Sequence, residues 1–228
     1  MRRLYCLVLS VLLAAIPLGV CAADADPTTT LIRNLFPNTG LSPWVYVQGD
    51  LTGDGIADLS VILTGESATA LRDEKLLVLQ GKADGGFAVL AMSDTFCLAN
   101  KFYNLEIEGK ALRVTGISST TPVGYFTLLF RYNPRRKDVE LIQEGFGHAP
   151  LTEGDAGFEA DPTGEDFTAD YLHHRALHTY NKAGEIYKKE TAKINLAPLT
   201  GLQGFNCGDH GDALWTQPFM KKLFRTHP

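Results

Sequence analysis

From Trp44 onward the chain runs in short apolar stretches with polar positions between them, broken by clusters of Gly, Asp, Asn and Pro. That texture predicts half-buried β-strands joined by tight turns. Strands are expected at Trp44–Gly49, Ala57–Thr64, Lys75–Leu79, Phe87–Met92, Asn104–Glu108, Ala111–Ser118, Gly124–Asn133 and Asp138–Glu144. Asp84-Gly85-Gly86, Glu108-Gly109-Lys110 and Asn133-Pro134-Arg135-Arg136 read as the turns between them. Phe167–Asn181 has the composition of one long strand, and Glu185–Ile194 returns after the turn Asn181-Lys182-Ala183-Gly184. Before Trp44 the period changes. Leu31, Ile32, Leu35 and Phe36 fall at helical spacing after Thr28–Thr30, and Pro37-Asn38 stops the run. The expected fold is all-β: antiparallel sheets, as a sandwich, open barrel or partial propeller-like arrangement, with a short N-terminal helix and a long C-terminal hairpin. Repeated strands with short polar turns argue against βαβ units.

The N-terminus changes the compartment. Met1-Arg2-Arg3 is basic, Leu4–Val20 is apolar, and Cys21-Ala22-Ala23 is small. Residues 1–23 are therefore expected to be a cleaved secretory signal, too short and wrongly flanked for a membrane anchor. Acylation at Cys21 is the alternative: Leu18-Gly19-Val20-Cys21 resembles a lipobox, although Val20 is a poor residue before the cysteine. No later run is long enough to span a bilayer. The 228-residue chain has a formal charge of −5, and losing Arg2 and Arg3 makes the mature part more acidic, which disfavours nucleic acid as a partner. Residues 24–228 suffice for one β-rich domain.

In an oxidising compartment the cysteines become informative. Cys6 and Cys21 belong to the signal, leaving Cys97 and Cys207 to form a bridge, or to remain as buried thiols. Residues 148–167 read as an acidic loop: His148–Asp170 carries Glu153, Asp155, Glu159, Asp161, Glu165, Asp166 and Asp170 without a Lys or Arg. The spacing fits a solvated surface better than a metal motif. His173, His174 and His178 lie in the long strand. His174 and His178 would share a face about 13 Å apart, too far to hold one ion. The tail from Leu214 to Phe224 places Trp215 and Phe219 among basic residues and is expected to pack on the sheet or to meet a partner.

One stretch combines acidic residues and glycines in a regular spacing. In Gly49-Asp50-Leu51-Thr52-Gly53-Asp54-Gly55-Ile56-Ala57-Asp58-Leu59, side-chain oxygens recur at Asp50, Thr52, Asp54 and Asp58. These are positions 1, 3, 5 and 9 of a calcium loop, with the carbonyl of Ile56 at position 7 and Gly55 at the sharp turn. Thr52 is a weak ligand at its position, and Val61 stands where a helix-flanked loop has its bidentate Glu. The flanks are strands. Asp50–Leu59 resembles the Asp-x-Asn-x-Asp-Gly-x-x-Asp-Leu loop of FG-GAP and VCBS-type repeats, found in integrin-like β-propellers. The resemblance implies a strand–loop–strand that carries calcium outside the cell, with Asp50, Thr52, Asp54, Ile56 and Asp58 as ligands. It covers about fifteen residues in a single copy, and a propeller needs several blades. The other reading of the loop is an Asp/Gly turn whose carboxylates satisfy its own amides.

The chain has no Gly-x-Ser-x-Gly elbow, phosphate loop, His-Glu-x-x-His or dinucleotide fingerprint. The expected function is a secreted or periplasmic binding or structural module with a calcium loop, its ligand a protein or a glycan. Two alternatives stand beside it: a periplasmic hydrolase using carboxylates and a histidine such as His148, and a secreted inhibitor or accessory protein.

Overall fold

The computed structural model describes residues 26–65, 74–96, 101–118, 123–149, 151–154, 157–160, 164–182, 185–194 and 199–206, with Pro218 and Met220. Its elements, in chain order, are α1 (Pro27–Leu35), β1 (Ser42–Gly49), β2 (Asp58–Thr64), β3 (Glu74–Gly81), β4 (Phe87–Met92), β5 (Lys101–Glu108), β6 (Ala111–Ser118), β7 (Val123–Asn133), β8 (Asp138–Ala149), β9 (Leu151–Gly154), β10 (Gly157–Ala160), β11 (Gly164–Asp170), β12 (Arg175–Lys182) and β13 (Glu185–Lys193). The fold is all-β. A four-stranded sheet, ordered β1-β2-β3-β4, faces a seven-stranded sheet ordered β13-β12-β11-β8-β7-β6-β5, and β9 pairs with β10 apart from both. The strand pairs within each sheet are antiparallel, and neither sheet closes into a barrel.

The central strands of the four-stranded sheet, β2 and β3, are buried on both faces. Ile62, Leu76, Val78 and Ala91 point to the seven-stranded sheet and meet Leu105, Leu112, Val114, Leu128, Phe130, Leu141 and Phe167. Leu59, Val61, Leu63, Leu77 and Leu79 point the other way and are covered by Leu31, Ile32, Leu35 and Phe36 around α1. This explains why Leu59–Leu63 lacks strict alternation: a strand buried on both sides is apolar almost throughout. The helix starts where Asp26 accepts from the Thr29 amide at 3.2 Å and Pro27 presets the first turn. It ends at Leu35, with Pro37 two residues beyond.

Residues 199–206 sew the two sheets together. Leu141 N donates to Thr200 O at 2.8 Å, and Leu202 N donates to Val139 O, which extends β8 laterally. Arg136 Nη1 reaches Glu140 Oε1 and Leu199 O, both at 2.9 Å. Farther on, Asp94 N donates to Phe205 O at 2.9 Å and Thr95 bridges Asn206, so the strap ends on the segment that follows β4. The Phe205 ring sits 6.1 Å from Phe96 and 6.0 Å from Phe130, edge-on to the latter.

Two sequence expectations change. The long strand Phe167–Asn181 is two strands, β11 and β12, with a turn between, so the C-terminal hairpin is a three-stranded meander. The turn forms because Asp170 accepts from the His173 amide at 3.0 Å and His174 takes a left-handed φ of 52°. The acidic stretch 148–167 is not one loop. It holds the end of β8, the β9–β10 hairpin and the start of β11, because a backbone crossing a sheet finds partners whatever its charge. The expected signal, Cys21, Cys97, Cys207, Trp215 and Phe219 lie outside the described residues. No helix among the described residues is long and apolar enough to cross a membrane.

Candidate metal centre

The loop from Gly49 to Asp58 joins β1 to β2, which pair directly at Gly49 and Asp58. It curls because Gly53 and Gly55 adopt φ of 81° and 85°, a region costly to any residue with a Cβ. Asp50 then lies under the curl: its Oδ1 accepts from Gly53 N at 2.6 Å and its Oδ2 from Gly55 N at 3.1 Å. Asp54 Oδ1 accepts from Ile56 N at 2.9 Å, and its Oδ2 accepts from the Gln80 side-chain amide at 3.2 Å.

Asp58 is different in kind. It is fully buried, and its two oxygens take three backbone amides. Oδ2 accepts from Leu51 N at 2.9 Å and Thr52 N at 2.8 Å, while Oδ1 accepts from Gly81 N at 3.0 Å. The last bond crosses from the loop to the end of β3. It requires a glycine there, since a Cβ on residue 81 would lie 2.2 Å from Ala57 O. Asp58 is thus a latch that closes the loop and fixes it to the neighbouring strand. Buried donors without partners are costly; this one side chain satisfies Thr52 N and Gly81 N and adds to the 3.0 Å bond that Leu51 N makes to Gly49 O.

Electrostatics distinguish the exposed end. The Asp54 carboxyl is held below the ordinary 3.8, chiefly by the Ile56 amide; desolvation opposes this, and Gln80 and the Thr52 hydroxyl add to the lowering. The Thr52 hydroxyl does so in poor hydrogen-bond geometry, with its Oγ1 shielded from solvent. Lys110, from the β5–β6 turn, lays its ammonium over Gly53, 2.7 Å from where a Cβ there would stand.

The structure therefore brings Asp50, Thr52, Asp54, Ile56 and Asp58 into one curl, with the carboxylates turned towards amides. Among the described residues no three His, Cys, Asp or Glu side chains converge closely enough to hold a metal ion as they stand. The chemistry of the set still suits a hard cation at the open end. The donors the curl offers are all oxygens: the Asp50 and Asp54 carboxylates, the Thr52 hydroxyl and the Ile56 carbonyl.

The histidines do not gather. His178 is buried on β12, its Nε2 3.0 Å from Glu165 Oε2, and its ring lies 4.3 Å from that of Tyr180. His173 is exposed on the preceding turn, with Nδ1 2.7 Å from Asp170 Oδ2. Asp170 is lowered overall: burial works to raise it, but the amide and imidazole of His173 and the charge of Arg175 outweigh that. His148 lies on β8 with its backbone opposite Glu165. Sequence reasoning missed the cross-strand partners of the loop, Gln80, Gly81 and Lys110. None has a local signal, because each arrives from another strand or turn. Compared with protein-family models, curated proteins and solved structures, the chain matches none.

Proposed function

We propose that the protein is a secreted β-sandwich module that acts by binding, not catalysis, and that its aspartate loop takes calcium. The observation that carries the reading is Thr52 Oγ1, shielded from solvent and in poor hydrogen-bond geometry beside Asp54, at the third position of an oxygen-rich curl. A shielded hydroxyl in poor hydrogen-bond geometry gains when something engages its lone pairs. A calcium ion at the open end would be held by Asp50, Thr52, Asp54 and the Ile56 carbonyl, with water completing its shell. Asp58, already committed to three amides, supports that set from behind. Bound calcium supplies charge neutralisation and rigidity. It would clamp the β1–β2 connection and present a fixed surface to a protein or glycan ligand.

The test is thermal unfolding of the mature chain with calcium, magnesium and chelator. With a dissociation constant near ~1 mM, ~10 mM calcium stabilises by about 1.4 kcal/mol. Tm then rises by about 3–6 °C. Magnesium does less, because it holds its waters and demands an octahedron. Asp54→Ala abolishes the calcium shift, and Lys110→Ala, which removes the chain's own cation from beside Gly53, enlarges it. An unmoved wild-type melting curve in millimolar calcium refutes the metal reading and leaves a self-capped turn.

A further inference from the structure

Strand β13 ends the seven-stranded sheet. Its inner edge pairs with β12 from Arg175↔Lys193 to Lys182↔Glu185, and no described strand is hydrogen-bonded to its outer edge. It is nine residues long, Glu185-Ile186-Tyr187-Lys188-Lys189-Glu190-Thr191-Ala192-Lys193, without a proline or glycine. Such an edge is a template for another strand. Ile186 and Tyr187, at 60% and 65% exposure, are the most exposed large apolar side chains among the described residues, and both lie on this strand.

The charge order identifies the partner. We propose that β13 pairs antiparallel with β13 of a second copy, about a two-fold axis at Lys189, joining two seven-stranded sheets into one. In that register Lys188 faces Glu190 and Glu190 faces Lys188. Glu185 faces Lys193 at both ends, and Tyr187 faces Thr191. Shifting the axis by one residue, to Lys188 or to Glu190, loses every Glu–Lys pair; a like pair stands on the axis in all three registers, Lys189 against its own copy in the proposed one. Within Glu185–Lys193 the axis at Lys189 sets four Glu–Lys pairs, against two (Glu185 with Lys189) for an axis at Tyr187, so the strand is most fully self-complementary about Lys189, as an isologous interface requires. Directly opposed unlike charges stabilise a strand pair, and like charges oppose it.

The strand is already arranged for this. Lys188 Nζ lies 3.3 Å from Glu190 Oε1 and 4.8 Å from the centre of the Tyr180 ring, so both groups stand on one face. Glu190 Oε2 accepts from Tyr180 Oη at 3.3 Å, which fixes the carboxylate in place. Lys189 points to the opposite face and is exposed, so its ammonium can turn away from its copy. A bulge at Tyr187, where the register with β12 shifts, confines the regular ladder across the axis to Lys188–Glu190; Tyr187 with Thr191 and the outer Glu185–Lys193 pairs then meet by side-chain reach. A row of lysines alone would repel another strand. Alternation with glutamate reverses that for this sequence and no other.

Light scattering on the mature chain from about 1 to about 100 µM reads the mass, which is concentration-dependent if copies associate. A dimer is expected. Glu190→Lys places lysine against lysine and weakens self-association by about tenfold or more. The exchange Lys188→Glu with Glu190→Lys restores it, because glutamate again faces lysine. Lys189→Cys, on an exposed side chain away from the core, reports the axis directly. Two copies cross-link at that position when glutathione disulfide oxidises the thiol pair, and Thr191→Cys, opposite Tyr187, does not. Circular dichroism verifies that each variant is folded. A monomer across the whole range, a dimer that Lys189→Cys fails to cross-link, or a charge exchange that fails to restore association each overturns the proposal. The calcium experiment is independent of all three.

Discussion

Replacing Asp58 with alanine is the sharpest perturbation of the loop. The wild-type carboxylate accepts from Leu51 N, Thr52 N and Gly81 N at 2.8–3.0 Å, and the side chain is fully buried. Alanine leaves Thr52 N and Gly81 N without a partner, and Leu51 N with only its 3.0 Å bond to Gly49 O. Each buried unsatisfied amide costs about 1–3 kcal/mol. Thr52 is only half-buried, so water can reach its amide, and the expected loss is about 3 kcal/mol. That is a large share of the 5–15 kcal/mol typical of a domain. It corresponds to a Tm lower by about 6–12 °C for a chain of this size. Asp58→Asn keeps one acceptor oxygen but turns an NH₂ towards an amide, so it falls between wild type and alanine. Urea unfolding followed by tryptophan fluorescence measures both, with the slope unchanged if only the native state is weakened. Asp50→Ala frees two amides nearer the surface and costs about 1 kcal/mol. A loss below about 1 kcal/mol for Asp58→Ala, or equal losses at Asp50 and Asp58, would refute the latch.

Two further predictions concern acid and redox. Asp54 and Asp170 are both held below 3.8, so the folded state binds those protons less readily than the unfolded chain. Their stabilisation is complete above the ordinary value and fades as pH falls through the lowered one. Asp54→Asn and Asp170→Asn should each flatten the acid limb of a stability-versus-pH curve below pH 3.8 and leave its neutral limb sloping as before; an unchanged acid limb counts against both assignments. The Thr95↔Asn206 bridge brings together chain positions close to Cys97 and Cys207, and on that ground we predict a disulfide between them. It would close a loop of about 110 residues, worth about 4–5 kcal/mol in the chain-entropy account. Intact-mass analysis with alkylation under non-reducing conditions decides it, since two alkylated thiols in the oxidised protein would exclude the bond.

The sequence by itself determined the β class, the helix at Leu31–Phe36, most strand positions up to Glu144 and the curl of the aspartate loop. These features are local. Alternation sets which side of a strand is apolar, Asp26 and Pro27 start a helix beside their own residues, and Asp50 reaches amides only three and five residues on. The split of Phe167–Asn181 was also local, in Asp170 and His174, but β-branched and aromatic neighbours on both sides concealed it. Only the tertiary structure decided what the elements meet. Leu59–Leu63 is buried on both faces because α1 covers one side of the sheet and the second sheet covers the other. Asp58 became a latch because β3 brings Gly81 to its second oxygen, twenty-three residues away. Gly201 and Phe205 bind β8 to the segment after β4. That β13 is an edge depends on strand order across the whole sheet. Strand neighbours and close approaches of distant backbone follow from which long loops close. No window of adjacent residues encodes that, because its free energy belongs to the assembled sandwich.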